Sequence, residues 1–192
     1  MKYTDIYQTL EDRQNYNEVE ANGPYFCYAK YPNGEPKKGT REPWLGEGFY
    51  FWDTRIDDAK WWGDTVYEGR SYIICHTTYD QHSPLLYDLV GNVSQFDEFV
   101  KCAQLVKNML GKQYVTFPVV LEYLKKDPQF TYKAVRAWPS SGKTKKTCII
   151  FPDNQLSLVQ FDKIQICFFD KSLLTEPYCI VHRQMYEENQ TI

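Results

Sequence analysis

The amino-acid sequence predicts a single α+β domain that spans residues 1–192. The length suits one domain with one core, and 43% of the residues are hydrophobic and 17% aromatic. Aromatic side chains bury large areas, which offsets the conformational entropy that an ordered chain loses. Segments typical of strands dominate both ends of the chain, and two amphipathic helical segments lie between them. These observations exclude a disordered chain.

The charge and the cysteines limit the partners and the compartment. A net charge of −3 gives no global positive field, so we expect neither nucleic acid nor an anionic membrane as a partner. The chain has no apolar run of about 18 residues and no signal-like start, which predicts a cytosolic, cytoplasmic protein. Six cysteines lie far apart without a C-x-x-C pair. We therefore predict no metal site and no disulfide framework, and expect reduced, buried thiols.

The first third of the chain contains the most distinctive pattern. Four apolar residues at helical spacing predict a short amphipathic helix near the start: Tyr3, Ile6, Tyr7 and Leu10. A strand over 24–29 precedes a loop rich in Pro and Gly, placed like a flap over a site. A second strand begins at Gly48, and a short helix runs from a cap at Asp53 or Thr54 to Trp62, ended by Gly63.

The middle and end of the chain predict two helices and several strands. The clearer helix covers 94–110, capped by Ser94, and its apolar face predicts a core helix. That face consists of Phe96, Phe99, Val100, Ala103, Val106 and Leu110. A second helix begins near Pro118 and stops before Asp127. The remaining strands are predicted at 71–77, 85–89, 130–138, 148–151, 156–159, 164–169 and 177–181.

Two apparent ligand motifs fail on inspection. The run from Ser140 to Thr144 ends like a phosphate-binding loop, but Ala137 stands where that motif needs its first glycine. The acidic residues Asp53, Asp57 and Asp58 lack the alternating ligands and the glycine of a calcium loop. Neither segment predicts a nucleotide or metal site.

One segment combines a glycine-led aromatic strand with an aromatic residue one short helix later. Gly48-Phe49-Tyr50-Phe51 is followed by Trp61, eleven positions after Tyr50. This pattern resembles the second motif of the ADP-ribosyltransferase superfamily, in its poly(ADP-ribose) polymerase-like branch. The runs Leu45–Tyr50 and Tyr87–Asn92 also resemble small bacterial proteins of that superfamily, often toxins or effectors. The resemblance implies two small, mostly antiparallel sheets that form an NAD cleft, with flanking helices.

The resemblance also implies an activity and a set of residues. NAD would be the substrate, and one ADP-ribose would pass to a macromolecular acceptor with release of nicotinamide. Tyr50 and Trp61 would sandwich the nicotinamide ring, because stacking fixes a flat leaving group. Gly48 would be a cofactor-binding residue at the start of the strand, and Asp58 would stand where the family has a serine that contacts the nicotinamide amide.

Two flanking motifs of the family are changed in this chain. The first-strand histidine or arginine falls within 25–30, where Tyr28 or Lys30 would contact ribose or phosphate. The catalytic glutamate of the third motif falls on Gln155, which joins Tyr50 as the catalytic pair that the resemblance implies. Glutamine carries no charge to stabilise a developing cation, so chain elongation is not expected.

Two other functions remain open at this point. A non-catalytic module with the same cleft would bind an NAD-like or ADP-ribose-like ligand, or a protein. An unrelated interaction protein would instead expose its aromatic residues as a patch on a convex surface. The residues of that patch would be Trp44, Trp52, Trp61 and Trp62.

Overall fold

The computed structural model describes residues 3–31, 33, 35, 37, 42–139, 147–150 and 157–186, with the backbone alone for 147–150, 157 and 158. The predicted α+β class is confirmed. The strands are β1 (Thr4–Glu11), β2 (Phe26–Cys27), β3 (Gly48–Asp53), β4 (Tyr72–Tyr79), β5 (Leu86–Asp88), β6 (Ala134–Ala137), β7 (Thr147–Ile150), β8 (Ser157–Gln160), β9 (Gln165–Phe168) and β10 (Leu174–Gln184). The helices are α1 (Tyr16–Asn22), α2 (Ile56–Val66), α3 (Val93–Met109) and α4 (Phe117–Leu124).

Eight of these strands form one open sheet in the order β10-β4-β1-β3-β9-β6-β5, with β2 also paired to β3. Its neighbours are antiparallel except for the parallel pair β5 and β6. Strands β7 and β8 form a separate two-stranded sheet. The prediction of mostly antiparallel strands is therefore confirmed, whereas the prediction of two small sheets is wrong: one sheet has eight strands and the other has two.

The large sheet forks between β1 and β3. These strands pair only at Ile6 opposite Asp53 and at Tyr7 opposite Trp52. Beyond that point β2 takes the edge of β3, with Phe26 opposite Phe49. The side chain of Gln8 fills the fork: Nε2 donates to Tyr25 O at 3.0 Å and to Tyr50 O at 3.2 Å. Oε1 of Gln8 accepts from Tyr25 N and from the Tyr178 hydroxyl. One buried amide thus replaces ladder hydrogen bonds where the strands separate.

The two faces of the sheet carry separate parts of the core, because alternate residues of a strand point to opposite faces. On one face Phe51 packs edge-to-face on Phe168, with ring centroids 5.7 Å apart. On the other face Cys167 and Tyr87 pack beneath α4 at Leu121. Helix α2 covers a further cluster on Trp52, Ala59, Tyr72 and Ile74.

The first segment is a strand, and the predicted amphipathic helix is wrong. All of Thr4–Glu11 pairs with Tyr72–Tyr79 of β4 in an unbroken antiparallel register. The pairing with two neighbouring strands outweighs the local helical spacing, since propensity is a weak prior against tertiary contacts.

The helix after β3 begins later and runs further than the sequence predicts. Its N-cap is Arg55, and the chain continues through Gly63 to Val66. A Cβ on Gly63 would lie 2.5 Å from the ring of Tyr72. Glycine at this position therefore allows α2 to approach β4 closely and does not end the helix.

Helix α3 lies largely exposed, so the prediction of a core helix is wrong. Its cap is Asn92, whose side chain accepts from Gln95 N. Of the predicted apolar face, Val106 is buried and Phe99 is half-buried, but Phe96 and Val100 are each 49% exposed. The periodicity identified the helix correctly. The apolar periodicity does not show whether another part of the protein covers the apolar face of the helix or leaves it exposed.

Candidate functional site

A cleft of about 610 Å³ opens where β1 and β3 separate, bounded by β2, α2 and the segment before β3. Eight of its described lining residues are aromatic: Tyr25, Phe26, Trp44, Tyr50, Phe51, Trp52, Trp62 and Tyr67. A cavity of this size that combines apolar surface with polar groups is typical of a small-molecule site.

Tyr50 lines the cleft, and its hydroxyl forms hydrogen bonds with the protein backbone. The hydroxyl donates to Gly46 O at 2.7 Å and accepts from Leu45 N at 2.7 Å. Burial raises the pKa of Tyr50 well above its usual value. The phenol therefore stays protonated and acts as a rigid wall, because both hydrogen bonds fix its position.

Trp62 lines the cleft, whereas the sequence analysis assigned this role to Trp61. Side chains rotate by about 100° per residue around a helix, and Ala59, Trp62 and Val66 share the face toward the sheet. Trp61 is 40% exposed and lies outside the residues that line the cleft. The Nζ of Lys163 lies 3.8 Å from the centroid of its ring. Trp62 therefore lines the cleft, whereas its neighbour Trp61 contacts Lys163.

Asp58 has a structural contact and does not line the cleft. Its Oδ2 accepts from the backbone N of Lys163 at 2.8 Å, and the residue is 8% exposed. Burial raises the pKa of the Asp58 carboxyl, although the hydrogen bond from Lys163 N opposes that effect. Together with the contact between Lys163 and Trp61, this bond fastens the turn between β8 and β9 to α2.

The other predicted binding residues lie outside the cleft. A Cβ on Gly48 would lie 2.5 Å from Phe168 O, so this glycine permits close packing of β3 on β9. Tyr28 and Lys30 are exposed in the segment after β2. Gln155 lies outside the described residues, and its catalytic assignment stays a prediction.

The polar side chains that line the cleft are mostly neutral. Gln8 is committed to the fork, and Gln165 accepts from the indole N–H of Trp44. Arg70 is the cation among the described lining residues, and it pairs with Glu11 at 2.7 Å. Glu42 is the carboxylate among them. The described lining residues thus offer apolar surface together with one cation and one carboxylate, both on exposed residues at the border of the cleft.

Several of these residues were missed by the sequence analysis. The helical spacing of Ala59, Trp62 and Val66 carried a signal for Trp62, since these positions share a face. The role of Gln8 depends on the fork of the sheet, which no local pattern predicts. Trp44 and Gln165 are 121 positions apart, so only the folded chain brings them together.

The four tryptophans do not form a convex patch. Trp44, Trp52 and Trp62 line the concave cleft. Trp52 is 5% exposed and packs on Trp62, with ring centroids 5.7 Å apart. The interaction-protein alternative predicted exposed rings, and three of its four residues contradict it.

Metal ligands, membrane-spanning helices and cysteines can also be assessed among the described residues. They include no group of three or more His, Cys, Asp or Glu side chains that could hold a metal ion. No helix among them is long and apolar enough to cross a membrane. Of the cysteines with described side chains, Cys75 and Cys167 are buried, but Cys27 is exposed. The prediction of buried thiols therefore holds for only part of the set.

A scan against protein-family models, a search of curated proteins and a search of solved structures found no match for this chain.

Proposed function

We propose that the protein binds NAD in the cleft between β1 and β3 and transfers one ADP-ribose unit to a macromolecular acceptor. The observation that carries this proposal is the convergence of Tyr50 and Trp62 on one aromatic cleft of suitable volume. The glycine-led strand of the sequence motif supplies one ring, and the helix that follows supplies the other. Both come from the segment that resembles the nicotinamide-binding motif of ADP-ribosyltransferases.

The nicotinamide ring stacks between these two side chains. A planar ring gains most when aromatic faces hold it at fixed distances, and Tyr50 is held by two hydrogen bonds of its own. Trp62 is supported in turn by Trp52, which packs against it. This support reduces the ordering cost of ligand binding.

The charged residues at the border give the rest of NAD its orientation. Arg70 attracts the pyrophosphate, because it is the cation among the described lining residues. Glu42 lies on the segment before β3 and supplies a carboxylate that stabilises the ribosyl cation as it develops. Gln155 remains a second candidate for contact with the ribose hydroxyl.

The reaction breaks the bond between nicotinamide and C1′ of the ribose. Nicotinamide leaves as a neutral molecule with the bonding electron pair, and a nucleophilic atom of the acceptor forms the new bond to C1′. The proton of that nucleophile passes to a carboxylate or to solvent. Tyr50 takes no proton in this scheme, because burial raises its pKa.

A non-catalytic binding module on the same cleft is the second candidate, and one observation favours it. The amides of Gln8 and Gln165 and the hydroxyl of Tyr50 already have protein partners. These groups form a preorganised neutral surface that suits binding more than bond breaking. The two candidates differ in the role of Glu42: the transferase needs its carboxylate for bond breaking, whereas the binding module does not.

The experiment is to incubate the purified protein with NAD labelled in the adenine ring and with a cell lysate as a source of acceptors. An active transferase releases nicotinamide and leaves label on macromolecules, and Glu42→Gln lowers both signals by about a hundredfold. A protein that binds NAD and releases no nicotinamide above background would support the binding module. A protein that neither binds nor consumes NAD contradicts the proposal.

A further inference from the structure

A thiol, an imidazole and a carboxylate lie together on one face of the large sheet. Cys179 of β10 lies directly opposite His76 of β4, and the next strand, β1, carries Asp5. The Nε2 atom of His76 lies 2.8 Å from Oδ1 of Asp5. The residues that line the NAD cleft do not include any of the three. We call these three residues the Cys179 cluster.

Cys179 and His76 share a face of the sheet, because directly opposite residues of an antiparallel pair point the same way. The neighbours of Cys179 agree with this direction, since Tyr178 and Ile180 pack with Cys75 on the other face. The Cβ atoms of opposite residues lie about 4.5–5.5 Å apart, so the thiol and the imidazole are within reach of each other. They share no hydrogen bond in the described structure, and such contacts often tighten when substrate binds.

The contacts of His76 leave one ring nitrogen available to the thiol. Nε2 is bonded to Asp5, whereas Nδ1 has no hydrogen-bond partner in the described part of the chain. The ring of Tyr7 packs against the imidazole with centroids 5.4 Å apart, which restricts its rotation. Burial, followed by the charge of Asp5, raises the pKa of Tyr7, so the phenol stays protonated and does not act as a base. A carboxylate that orients an imidazole beside a thiol is the arrangement of an activated nucleophile.

Solvent reaches the Cys179 cluster. The side chains of His76 and Asp5 are 25% and 58% exposed. Cys179 is a free, partly exposed cysteine on β10, the strand at one end of the sheet order. A substrate can therefore approach the thiol without entering the NAD cleft.

We propose that Cys179 is a nucleophile that accepts an acyl group from an activated ester or thioester, with His76 as its general base and Asp5 as the residue that positions His76. Nδ1 of His76 takes the thiol proton while Sγ forms a bond to the acyl carbon. The bond from that carbon to the leaving oxygen or sulfur then breaks, and the leaving group departs with the electron pair and the proton from His76. The product is an S-acyl cysteine.

An acyl donor fits this cluster because its transfer uses the imidazole in both directions. The base removes one proton from the nucleophile and returns it to the leaving group, so one histidine serves both steps. An activated donor is the expected class, since its leaving group departs without a stronger acid than the protonated imidazole. This activity goes beyond the proposed NAD chemistry and does not depend on it.

The test mixes the purified protein with p-nitrophenyl acetate and records the release of nitrophenolate. Mass spectrometry of peptides then locates the acetyl group. Cys179→Ser is the test variant. Cys102→Ser is the matched control, because Cys102 is also a free, partly exposed cysteine and lies on α3. Burial, followed by the charge of Glu98, raises the pKa of the Cys102 thiol, which keeps it protonated.

The proposal expects a burst of about one nitrophenolate per protein molecule, with the acetyl group on Cys179. Cys179→Ser loses the burst and Cys102→Ser keeps it. His76→Ala slows acylation by about a hundredfold, and added imidazole restores the rate, which a purely structural histidine would not allow. Asp5→Asn slows acylation less, and Asp5→Glu, which keeps the carboxylate, restores it. Unfolding midpoints confirm that each variant folds.

Three results would overturn the proposal. The acetyl group could lie on other residues while Cys179 stays unmodified. Cys102→Ser could lose the burst that Cys179→Ser keeps. Finally, His76→Ala could be acylated as fast as the unmodified protein, which would make Cys179 an ordinary surface thiol. The position of the acetyl group is read from the unmodified protein, so this test does not depend on the folding of any variant.

Discussion

Two nitrogens of the Arg136 guanidinium contact the same carboxylate oxygen of Asp53: Nε and Nη2 each lie 2.7 Å from Oδ2. Nη1 of Arg136 also lies 3.1 Å from Asp88 Oδ1. The side chains of Arg136 and Asp53 are 9% and 1% exposed. The network joins the ends of β3, β5 and β6, and so it fixes the strand that carries Tyr50.

Arg136→Met should lower the free energy of unfolding by about 3–5 kcal/mol, because it leaves the carboxylate of Asp53 buried without its partner. Urea denaturation followed by far-UV circular dichroism measures this change. Arg13→Met is the control: it removes an ion pair with Glu11 in which Arg13 is 75% exposed, and it should cost less than about 1 kcal/mol. Equal effects in the two variants would refute a structural role for the buried network.

Gln8→Leu should destabilise the protein by about 3 kcal/mol, since a buried group without a partner costs about 1–3 kcal/mol. The variant removes the partner of Tyr25 N, Tyr25 O and Tyr50 O at the fork of the sheet. Gln104→Leu provides a comparison on the exposed surface of α3. Denaturant unfolding of both variants checks the prediction, and a loss below about 0.5 kcal/mol for Gln8→Leu would show that the fork does not need its amide.

The stability of Asp58→Asn, relative to that of the unmodified protein, should increase as the pH rises. Burial raises the pKa of Asp58 in the folded state above its unfolded value. The stability that this group contributes is therefore present below the unfolded pKa and is lost as the pH rises through the folded pKa. Asparagine keeps an oxygen for Lys163 N and does not titrate.

Urea midpoints of Asp58→Asn and of the unmodified protein, measured from about pH 3 to about pH 7, show the difference directly. The advantage of the asparagine variant should grow over this window. An advantage that shrinks as the pH rises would mean that the Asp58 carboxylate is stabilised, and not destabilised, by the fold.

Gln155→Glu tests the third motif of the resemblance. If position 155 faces the reacting ribose, a carboxylate there stabilises the developing cation and raises NAD hydrolysis by about a hundredfold. Release of nicotinamide, followed by chromatography, measures the rate. A lower rate than in the unmodified protein would identify glutamine as the better catalytic group at this position.

The sequence predicted most strands correctly because their pattern is local. The glycine and the aromatic run of Gly48–Asp53 mark β3 without reference to any other segment. Thr4–Glu11 was assigned as a helix, because its apolar spacing fits both structures and only pairing with β4 decides between them. The exposure of Phe96 on α3 was equally hidden, since an amphipathic pattern does not say whether a partner covers the apolar face.

The candidate site was predicted in part for the same reason. Tyr50 lines the cleft as the motif implied, but the second ring belongs to Trp62 and not to Trp61. The motif gives only the number of residues between the two rings. Neighbouring residues on a helix point about 100° apart, so Trp61 and Trp62 face different directions. Gln8 and Gln165 come from opposite ends of the chain, and they flank β3 because β1 and β9 are its neighbours in the sheet.

The most direct test of the NAD site is a thermal shift measured on three proteins: the unmodified chain, Trp62→Ala and Trp61→Ala. Both tryptophans pack on Trp52, at centroid distances of 5.7 Å and 6.0 Å, so the variants are closely matched. NAD at roughly a hundred times its dissociation constant stabilises a folded protein by about 2.7 kcal/mol. The account predicts a shift with NAD for the unmodified protein and for Trp61→Ala, and none for Trp62→Ala. A shift that survives Trp62→Ala but is lost in Trp61→Ala, or no shift of the unmodified protein with NAD, would contradict it.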